Sequence, residues 1–152
     1  MHLKTSLGSA YIHNLNLVDE SKEVILFVPG AGMDHRVADL FHPNPEIYNK
    51  VISIDLPGHG GSLPSNASTI QEYAEFIFTC LEDLGLSDLH LCGHSMGGLV
   101  CMSLASLNRK TFKSVSIFNC QYPLFVGSAP VSYTHLRAHE TVLDLVCRLL
   151  LE

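Results

Sequence analysis

The chain has 152 residues, of which 47% are hydrophobic and 16% are charged, and its formal net charge at pH 7 is -6. This composition is typical of one globular domain with its own core, and it excludes an intrinsically disordered chain. The negative charge without any block of like charges argues against a nucleic-acid or anionic-membrane surface. The first residues lack the apolar run of a signal peptide, and no apolar stretch approaches the ~18 residues of a membrane span.

The 5 cysteines are scattered along the chain, and none belongs to a Cys-x-x-Cys pair. Such a pattern favours buried or free thiols in a reducing compartment over a zinc site, whose ligand spacing is absent. We therefore expect a cytoplasmic protein without a bound metal.

Six strands are predicted in the first 118 residues. The first two are short and flank a turn, whereas the other four are continuous apolar runs, typical of strands buried on both faces of a sheet. In chain order the predicted strands are residues 2–5, 10–15, 24–28, 51–55, 89–92 and 115–118.

Helices are predicted between the apolar strands. Residues 68–71 have the form of a capping box with Ser68 as its first residue, and the helix that follows ends at Gly85. A second helix is expected over residues 96–108, and a shorter one between Val37 and Phe41. Strands that alternate with helices imply a parallel sheet with right-handed crossovers.

Glycine-rich segments follow three of the apolar strands, at residues 29–32, 57–61 and 93–98. The carboxyl ends of parallel strands meet at one edge of a sheet, where catalytic groups gather in this class of fold. We therefore expect the three segments to lie close together.

The segment 93–98 contains the pattern Gly-x-Ser-x-Gly, with Ser95 at its centre. This pattern places a serine on a sharp turn between strand and helix, and glycine is needed on either side because a Cβ there would crowd the turn. Here the flanking glycines are Gly93 and Gly97, and Gly98 lets the helix pack close to the sheet. The predicted strand before the motif and helix after it favour Ser95 as a catalytic nucleophile. The alternative is a glycine-rich turn without chemistry.

An oxyanion hole needs two backbone donors. The N–H of Met96, at the start of the second helix, is the first candidate, because the helix dipole also favours negative charge there. The second should come from the loop after the first buried strand, where Ala31 is the candidate and Gly32 the fallback. The alternative for this loop is a turn without a functional role.

Residues 27–34, 55–62 and 93–98 together resemble the N-terminal half of α/β-hydrolase superfamily proteins of the esterase, lactonase and carbon–carbon-bond hydrolase type. The resemblance covers about residues 10 to 118. Pro29 departs from the family pattern, in which a histidine, mostly structural, commonly precedes the glycine. The resemblance implies an α/β-hydrolase fold, that is, a mostly parallel sheet with helices on both faces.

The resemblance also implies a serine hydrolase of a small-molecule acyl or carbonyl substrate, an ester, thioester, lactone or activated carbon–carbon bond, that uses no cofactor. Asp55 is then expected to cap the loop that follows it, and His59 and His94 to shape backbone or pocket. For Asp34 and His35 a solvated loop is expected, with substrate contact as the alternative. The same scaffold leaves open an acyltransferase, a cofactor-free haloperoxidase or a non-catalytic binding protein.

The triad of this fold follows the chain order Ser, Asp or Glu, then His, but residues 119–122 contain no carboxylate. Residues 131–152 read as an in-frame translation of a DNA-sequencing adapter, which gives a truncated hydrolase domain at 1–130 and a non-native tail at 131–152. A native amphipathic helix is the alternative for the tail. We therefore do not recruit His135 or His139 as catalytic, and we expect the fragment to be inactive.

Overall fold

The computed structural model describes residues 1–19, 21–107 and 112–120, together with the backbone of 147–150. In this part of the chain seven strands form one sheet, in the order β1-β2-β4-β3-β5-β6-β7. Two α-helices and two short 3₁₀ helices, Leu15–Leu17 and His35–Leu40, connect them. The elements are β1 (His2–Thr5), β2 (Gly8–His13), β3 (Val24–Val28), β4 (Ile52–Ile54), α1 (Ile70–Leu84), β5 (Leu89–His94), α2 (Met96–Leu107), β6 (Phe112–Phe118) and β7 (Cys147–Leu150).

The centre of the sheet is parallel. Strand β3 pairs in parallel with both β4 and β5, and β5 pairs in parallel with β6. Antiparallel strands flank this centre, with β1 and β2 beyond β4 and with β7 beyond β6. The carboxyl ends of β3, β4 and β5 therefore lie at one edge, and the α/β-hydrolase fold with a mostly parallel sheet is confirmed.

Several strand boundaries differ from the prediction. Strand β2 begins at Gly8 and ends at His13, because Asn14 adopts a left-handed conformation with φ 59° that stops the strand. Strand β4 is limited to three residues. Strand β6 begins at Phe112, three residues before the predicted start, because its first part continues the pairing with β5.

Helical segments lie on both faces of the sheet. The helices α1 and α2 contact each other on one face and enclose the main core, which includes Leu26, Phe76 and Leu104. On the other face the 3₁₀ helix His35–Leu40, which replaces the short helix expected between Val37 and Phe41, packs Ala38 against Phe27. The successive residues Leu26 and Phe27 thus pack on opposite faces of the sheet, as expected for a strand that is buried on both faces.

The capping box of α1 begins one residue later than predicted. Thr69, and not Ser68, is the N-cap: its hydroxyl accepts a bond from the Glu72 N–H at 3.2 Å, and the Glu72 carboxylate accepts one from the Thr69 N–H at 2.9 Å. Backbone N–H bonds, led by that of Ser68, lower the pKa of Glu72. At the other end, Gly85 closes the helix with φ 64°, as expected.

The cysteines of the described residues are free thiols. Burial raises the pKa of Cys80 and of Cys92 to about 12, and it raises the pKa of the fully enclosed Cys101 well above its ordinary value. These thiols pack as small apolar side chains and stay protonated at neutral pH.

The predicted tail at 131–152 lies outside the described residues except for the backbone of Cys147–Leu150. That backbone forms β7, an extended strand antiparallel to β6, so these four residues are not helical. His135 and His139 lie outside the described residues, as do Asn108, the predicted last residue of the second helix, and residues 121–122.

Candidate active site

Ser95 occupies the junction between β5, which ends at His94, and α2, which begins at Met96. Its φ angle is 52°, a left-handed conformation that costs a residue with a side chain about 1–2 kcal/mol. Two backbone bonds hold it there: the Ser95 N–H donates to the Phe118 carbonyl at 2.9 Å, and the Gly98 N–H donates to the Ser95 carbonyl at 2.9 Å. The backbone thus makes the sharp, strained turn that the sequence motif predicts.

The residues around Ser95 must be glycine, because a Cβ at these positions would lie too close to neighbouring atoms. A Cβ on Gly93 would lie 2.7 Å from the Gly98 nitrogen, and a Cβ on Gly97 would lie 2.6 Å from the Pro29 carbonyl oxygen. A Cβ on Gly98 would lie 2.6 Å from Ile117 of β6, so this glycine brings α2 close to the sheet, as predicted.

The loop after β3 lies directly against this turn. Gly30 is buried, and a Cβ built on it would lie 3.3 Å from the Ser95 Cβ and 3.0 Å from the His94 carbonyl oxygen. The loop turns tightly through a bond from the Met33 N–H to the Gly30 carbonyl at 3.1 Å, with Gly32 at φ 71°. Ala31, the candidate donor, is therefore the exposed residue next to the one that touches Ser95.

The two candidate oxyanion donors come from different elements at this edge. Met96 is the first residue of α2, where an N–H has no partner within the helix. Among the hydrogen bonds of the described residues, none uses the N–H of Ala31 or of Met96. Their role as oxyanion donors stays a prediction.

Asp55 caps its loop, as the family resemblance implies, and it does more. Its carboxylate is fully buried at the end of β4 and accepts a bond from the Gly61 N–H at 2.8 Å. It also accepts bonds from the His35 N–H at 2.7 Å and from His35 Nδ1 at 2.8 Å. One carboxylate therefore connects the loop after β3 with the loop after β4.

The His35–Asp55 pair resembles the histidine and acid of a triad, but its position excludes that role for Ser95. The pair lies at the β4 end, and His35 stacks on Tyr11 of β2 at 4.6 Å between ring centroids. Since β4 and β5 are separated by β3, the two strand ends are roughly 10 Å apart. Within the described residues, no histidine hydrogen-bonds to the Ser95 hydroxyl.

Asp34 is engaged by its neighbour and caps the 3₁₀ helix. Its carboxylate accepts three bonds from the Arg36 guanidinium, at 2.8 and 3.1 Å from Nε and 2.7 Å from Nη2, and one from the Arg36 N–H at 3.0 Å. The guanidinium lowers the pKa of Asp34 to about 2. Neither Asp34 nor His35 is therefore a free solvated loop residue, and their side chains are directed to protein partners.

The two histidines of the glycine-rich segments have different surroundings. His59 Nδ1 lies 3.1 Å from the Pro57 carbonyl oxygen, which shapes the local turn. His94 Nδ1 is buried without a hydrogen-bond partner and lies 3.1 Å from the Cβ position of Gly30, whereas its Nε2 lies 3.4 Å from Asn119 Nδ2. The His59 contact agrees with the expected role in backbone shape, whereas the role expected for His94 stays a prediction.

A cavity of about 420 Å³ lies on the sheet face that carries the 3₁₀ helix, and its wall includes Phe118, whose carbonyl accepts the bond from the Ser95 N–H. Its walls include Tyr48, His90 and Ser114, and neither Ser95 nor Ala31 lines it.

Sequence reasoning missed two features of the site, the bonds between His35 and Asp55 and the support that the Phe118 carbonyl gives to Ser95. The first had a signal: Asp55 and His35 follow neighbouring parallel strands and carry complementary groups. The second had none, because a backbone carbonyl carries no side-chain signature.

Metal-ligating groups and membrane-spanning helices can both be checked in the described residues. No group of three or more His, Cys, Asp or Glu side chains there is arranged to hold a metal ion. Neither α-helix of that part combines the length and apolar character needed to cross a membrane.

The sequence from residue 25 to residue 147 matches the family model described as the alpha/beta hydrolase family. The chain belongs to this family. The match runs into the segment 131–147, the first part of the predicted tail. Relatives of this chain are named as hydrolases, so the family to which the chain belongs is an enzyme family.

Curated relatives have several activities. The chain is 31% identical over 115 residues to the dihydrolipoyllysine-residue acetyltransferase component of the acetoin cleaving system of Pseudomonas putida, covering 75% of this chain and 31% of that protein. It is 31% identical over 104 residues to (E)-2-((N-methylformamido)methylene)succinate hydrolase of Acinetobacter baylyi, covering 66% and 38%. It thus spans about a third of the length of these relatives.

Solved structures share the fold. A thermophilic esterase from Thermogutta terrifontis superposes with a TM-score of 0.67 at 20% identity, over 84% of this chain and 47% of the esterase. An N-acyl homoserine lactonase superposes with a TM-score of 0.66 at 20% identity, over 79% of this chain and 44% of the lactonase.

Proposed function

We propose that Ser95 is the nucleophile of a hydrolase that acts on an ester, thioester, lactone or activated carbon–carbon bond of a small-molecule substrate. The observation that carries this proposal is the left-handed turn at Ser95, with φ 52°, between a buried strand and a helix N-terminus. A strained serine at such a junction presents its hydroxyl beyond the edge of the sheet. The 31% identical succinate hydrolase supports this reaction class.

In the proposed reaction the Ser95 hydroxyl gives its proton to the base and its oxygen bonds to the substrate carbonyl carbon, while the carbonyl oxygen becomes an oxyanion. The N–H groups of Met96 and Ala31 donate to that oxygen, and the N-terminus of α2 adds a favourable dipole. The tetrahedral intermediate then collapses and expels the alcohol, thiol or carbon leaving group, which takes up the proton, and leaves an acyl ester on Ser95. Water adds to this ester and the C–O bond to Ser95 breaks, which gives the carboxylic acid and the free serine hydroxyl. Gly32 is the fallback donor if Ala31 does not reach.

We further propose that the intact parent supplies the acid and the base from sequence that this chain lacks. The support is that the chain covers 31% to 38% of the two curated relatives described above. Residues 131–152 are in this proposal derived from an adapter, so residues 1–130 are the hydrolase domain. The 152-residue chain then binds substrate and presents the Ser95 nucleophile, but it does not turn substrate over efficiently.

The proposal also includes the location and the partners of the protein. We place the protein in the cytoplasm, which the free thiols support, with a small-molecule substrate and with neither nucleic acid nor membrane as partner. The proposal includes no cofactor, and we assign no oligomeric state.

A fluorophosphonate probe tests the nucleophile in the 152-residue chain. Without an internal base the Ser95 hydroxyl must lose its proton to solvent hydroxide, so the labelling rate should rise about tenfold per pH unit. Labelling should disappear in Ser95→Ala and persist in Ser106→Ala, a matched change of an exposed serine on α2. Labelling that survives Ser95→Ala contradicts the proposal. A labelling rate that levels off near neutral pH contradicts the missing base.

One alternative has a specific observation in its favour, the 31% identity over 115 residues to an acetyltransferase component. In that reaction an acyl group on Ser95 would pass to a thiol or amine instead of water. The intact parent, given an activated ester with and without a thiol acceptor, distinguishes the two by its product ratio. Acyl transfer in preference to hydrolysis would replace the hydrolase proposal.

A further inference from the structure

We propose that His35 is a positioning residue that holds the loop 30–34, and with it the N–H of Ala31, through a clamp on the buried carboxylate of Asp55. The inference rests on the proposed role of Ala31 as an oxyanion donor. It concerns the geometry of the loop, which is measurable without any catalytic activity.

The clamp is a two-point attachment. The backbone N–H and the ring Nδ1 of His35 donate to separate oxygens of Asp55, Oδ1 at 2.7 Å and Oδ2 at 2.8 Å. A carboxylate only accepts hydrogen bonds, so Nδ1 carries the proton of this pair. Two bonds to one rigid acceptor fix both the position and the direction of the chain at His35.

Asp55 is itself anchored to the sheet. Its N–H donates to the Tyr11 carbonyl at 3.0 Å, and its carbonyl accepts from the Ser62 hydroxyl at 2.7 Å. Ser62 in turn accepts a bond from the Tyr11 N–H at 2.8 Å. The clamp therefore holds the loop after β3 in a fixed position relative to β2 and β4.

Aromatic packing keeps the His35 ring in place. Its centroid lies 4.6 Å from the Tyr11 ring and 4.8 Å from the His13 ring, and only about a fifth of the side chain is exposed. His13 is bonded at 2.9 Å to Asp39, which belongs to the 3₁₀ helix that follows the loop. The ring cannot leave Asp55 without disrupting these contacts.

The loop 30–34 is thus held near both ends. At its start, Gly30 lies against Ser95, and directly after its end, His35 is bonded to Asp55. Ala31 lies between these anchors and is exposed. Oxyanion donors act only at about 2.7–3.1 Å from the oxygen, so loss of the His35 anchor should reduce the reaction at Ser95.

Hydrogen exchange tests the clamp in the 152-residue chain. The Met33 N–H, bonded to the Gly30 carbonyl, reports the order of the loop. His35→Ala should accelerate exchange at Met33 by about tenfold or more, whereas His35→Asn, whose amide N–H can replace Nδ1–H, should stay within about threefold of wild type. His42→Ala, a change of an exposed histidine, is the control and should have no effect. Unchanged exchange in His35→Ala overturns the inference.

Nitrogen NMR of wild-type His35 provides a measurement that does not depend on the folding of a variant. A proton on Nδ1 at neutral pH is expected, and an unprotonated Nδ1 overturns the inference. Fluorophosphonate labelling of Ser95 adds a functional readout: it should slow by about tenfold in His35→Ala and recover in His35→Asn. If exchange at Met33 accelerates in His35→Ala while Ser95 of the wild-type chain stays unlabelled, the proposed function is overturned and the clamp is retained.

Discussion

The backbone N–H of Ser95 donates to the carbonyl of Phe118 at 2.9 Å, across the carboxyl ends of the adjacent parallel strands β5 and β6. This bond fixes the strained residue from the side opposite to Gly30. Ser95 therefore lies between two neighbouring strands, and its conformation depends on residues 23 positions later in the chain. The proposed nucleophile is a tertiary feature as much as a local one.

Replacement of Ser95 by glycine should stabilise the fold. Glycine adopts φ 52° without the steric penalty of a Cβ, so Ser95→Gly should raise the free energy of unfolding by about 1 kcal/mol. Ser95→Ala keeps the Cβ and should stay near wild type. Urea denaturation of the three proteins measures the difference, and a glycine variant less stable than the alanine variant would show that the turn is unstrained.

Gly97→Ala should destabilise the protein by about 3 kcal/mol or more, because the new Cβ meets the Pro29 carbonyl oxygen at 2.6 Å and the backbone must shift. Gly85→Ala is the control. Its Cβ has open space, so only the left-handed φ of 64° is penalised, by about 1 kcal/mol. Thermal unfolding of both variants compares the two effects. Equal losses would indicate that α2 can move away from β3 at little cost.

The N-cap of α1 can be identified by two alanine substitutions. Thr69→Ala removes the hydroxyl that accepts from the Glu72 N–H and should cost about 1 kcal/mol. Ser68→Ala removes only a 3.3 Å bond to the Glu72 carboxylate and should cost less than half as much. Chemical denaturation provides both values. A larger loss of stability for Ser68→Ala would show that Ser68 is the N-cap, as the sequence pattern indicated.

Acid should weaken the fold partly through Asp34. Its pKa is about 2 in the folded state, below the ordinary value of 3.8, so its stabilising contribution is complete above pH 4 and is lost as the pH falls toward 2. In Asp34→Asn the loss of stability over that pH window should be smaller than in wild type. Glu82→Gln, a change of an exposed carboxylate on α1, is the comparison and should leave the window unchanged. Urea midpoints at pH 5, 3 and 2 measure this dependence, and equal slopes for wild type and Asp34→Asn would contradict it.

Much of the fold was predictable from local signals. Continuous apolar runs located β3, β4, β5 and β6, since strands covered on both faces need apolar side chains in succession. The boundaries were less accurate: the start of β6 at Phe112 depends on pairing with β5, and the end of β2 depends on the left-handed Asn14. Ser68 was chosen as the cap because Ser and Gln fit the box pattern, whereas the helix begins one residue later with Thr69 and Glu72.

The sequence by itself determined where the strained turn lies and that Ser95, the proposed nucleophile, stands on it. Gly-x-Ser-x-Gly after an apolar strand identifies the residue that can be presented as a nucleophile, because few other sequences permit that turn. Only the tertiary structure decided what surrounds it: Gly30 against Ser95, the Phe118 carbonyl behind it, and His35 bonded to Asp55. The reason is physical. A turn is set by neighbouring residues, whereas these contacts join loops that only the parallel pairing of β3, β4, β5 and β6 brings to one edge.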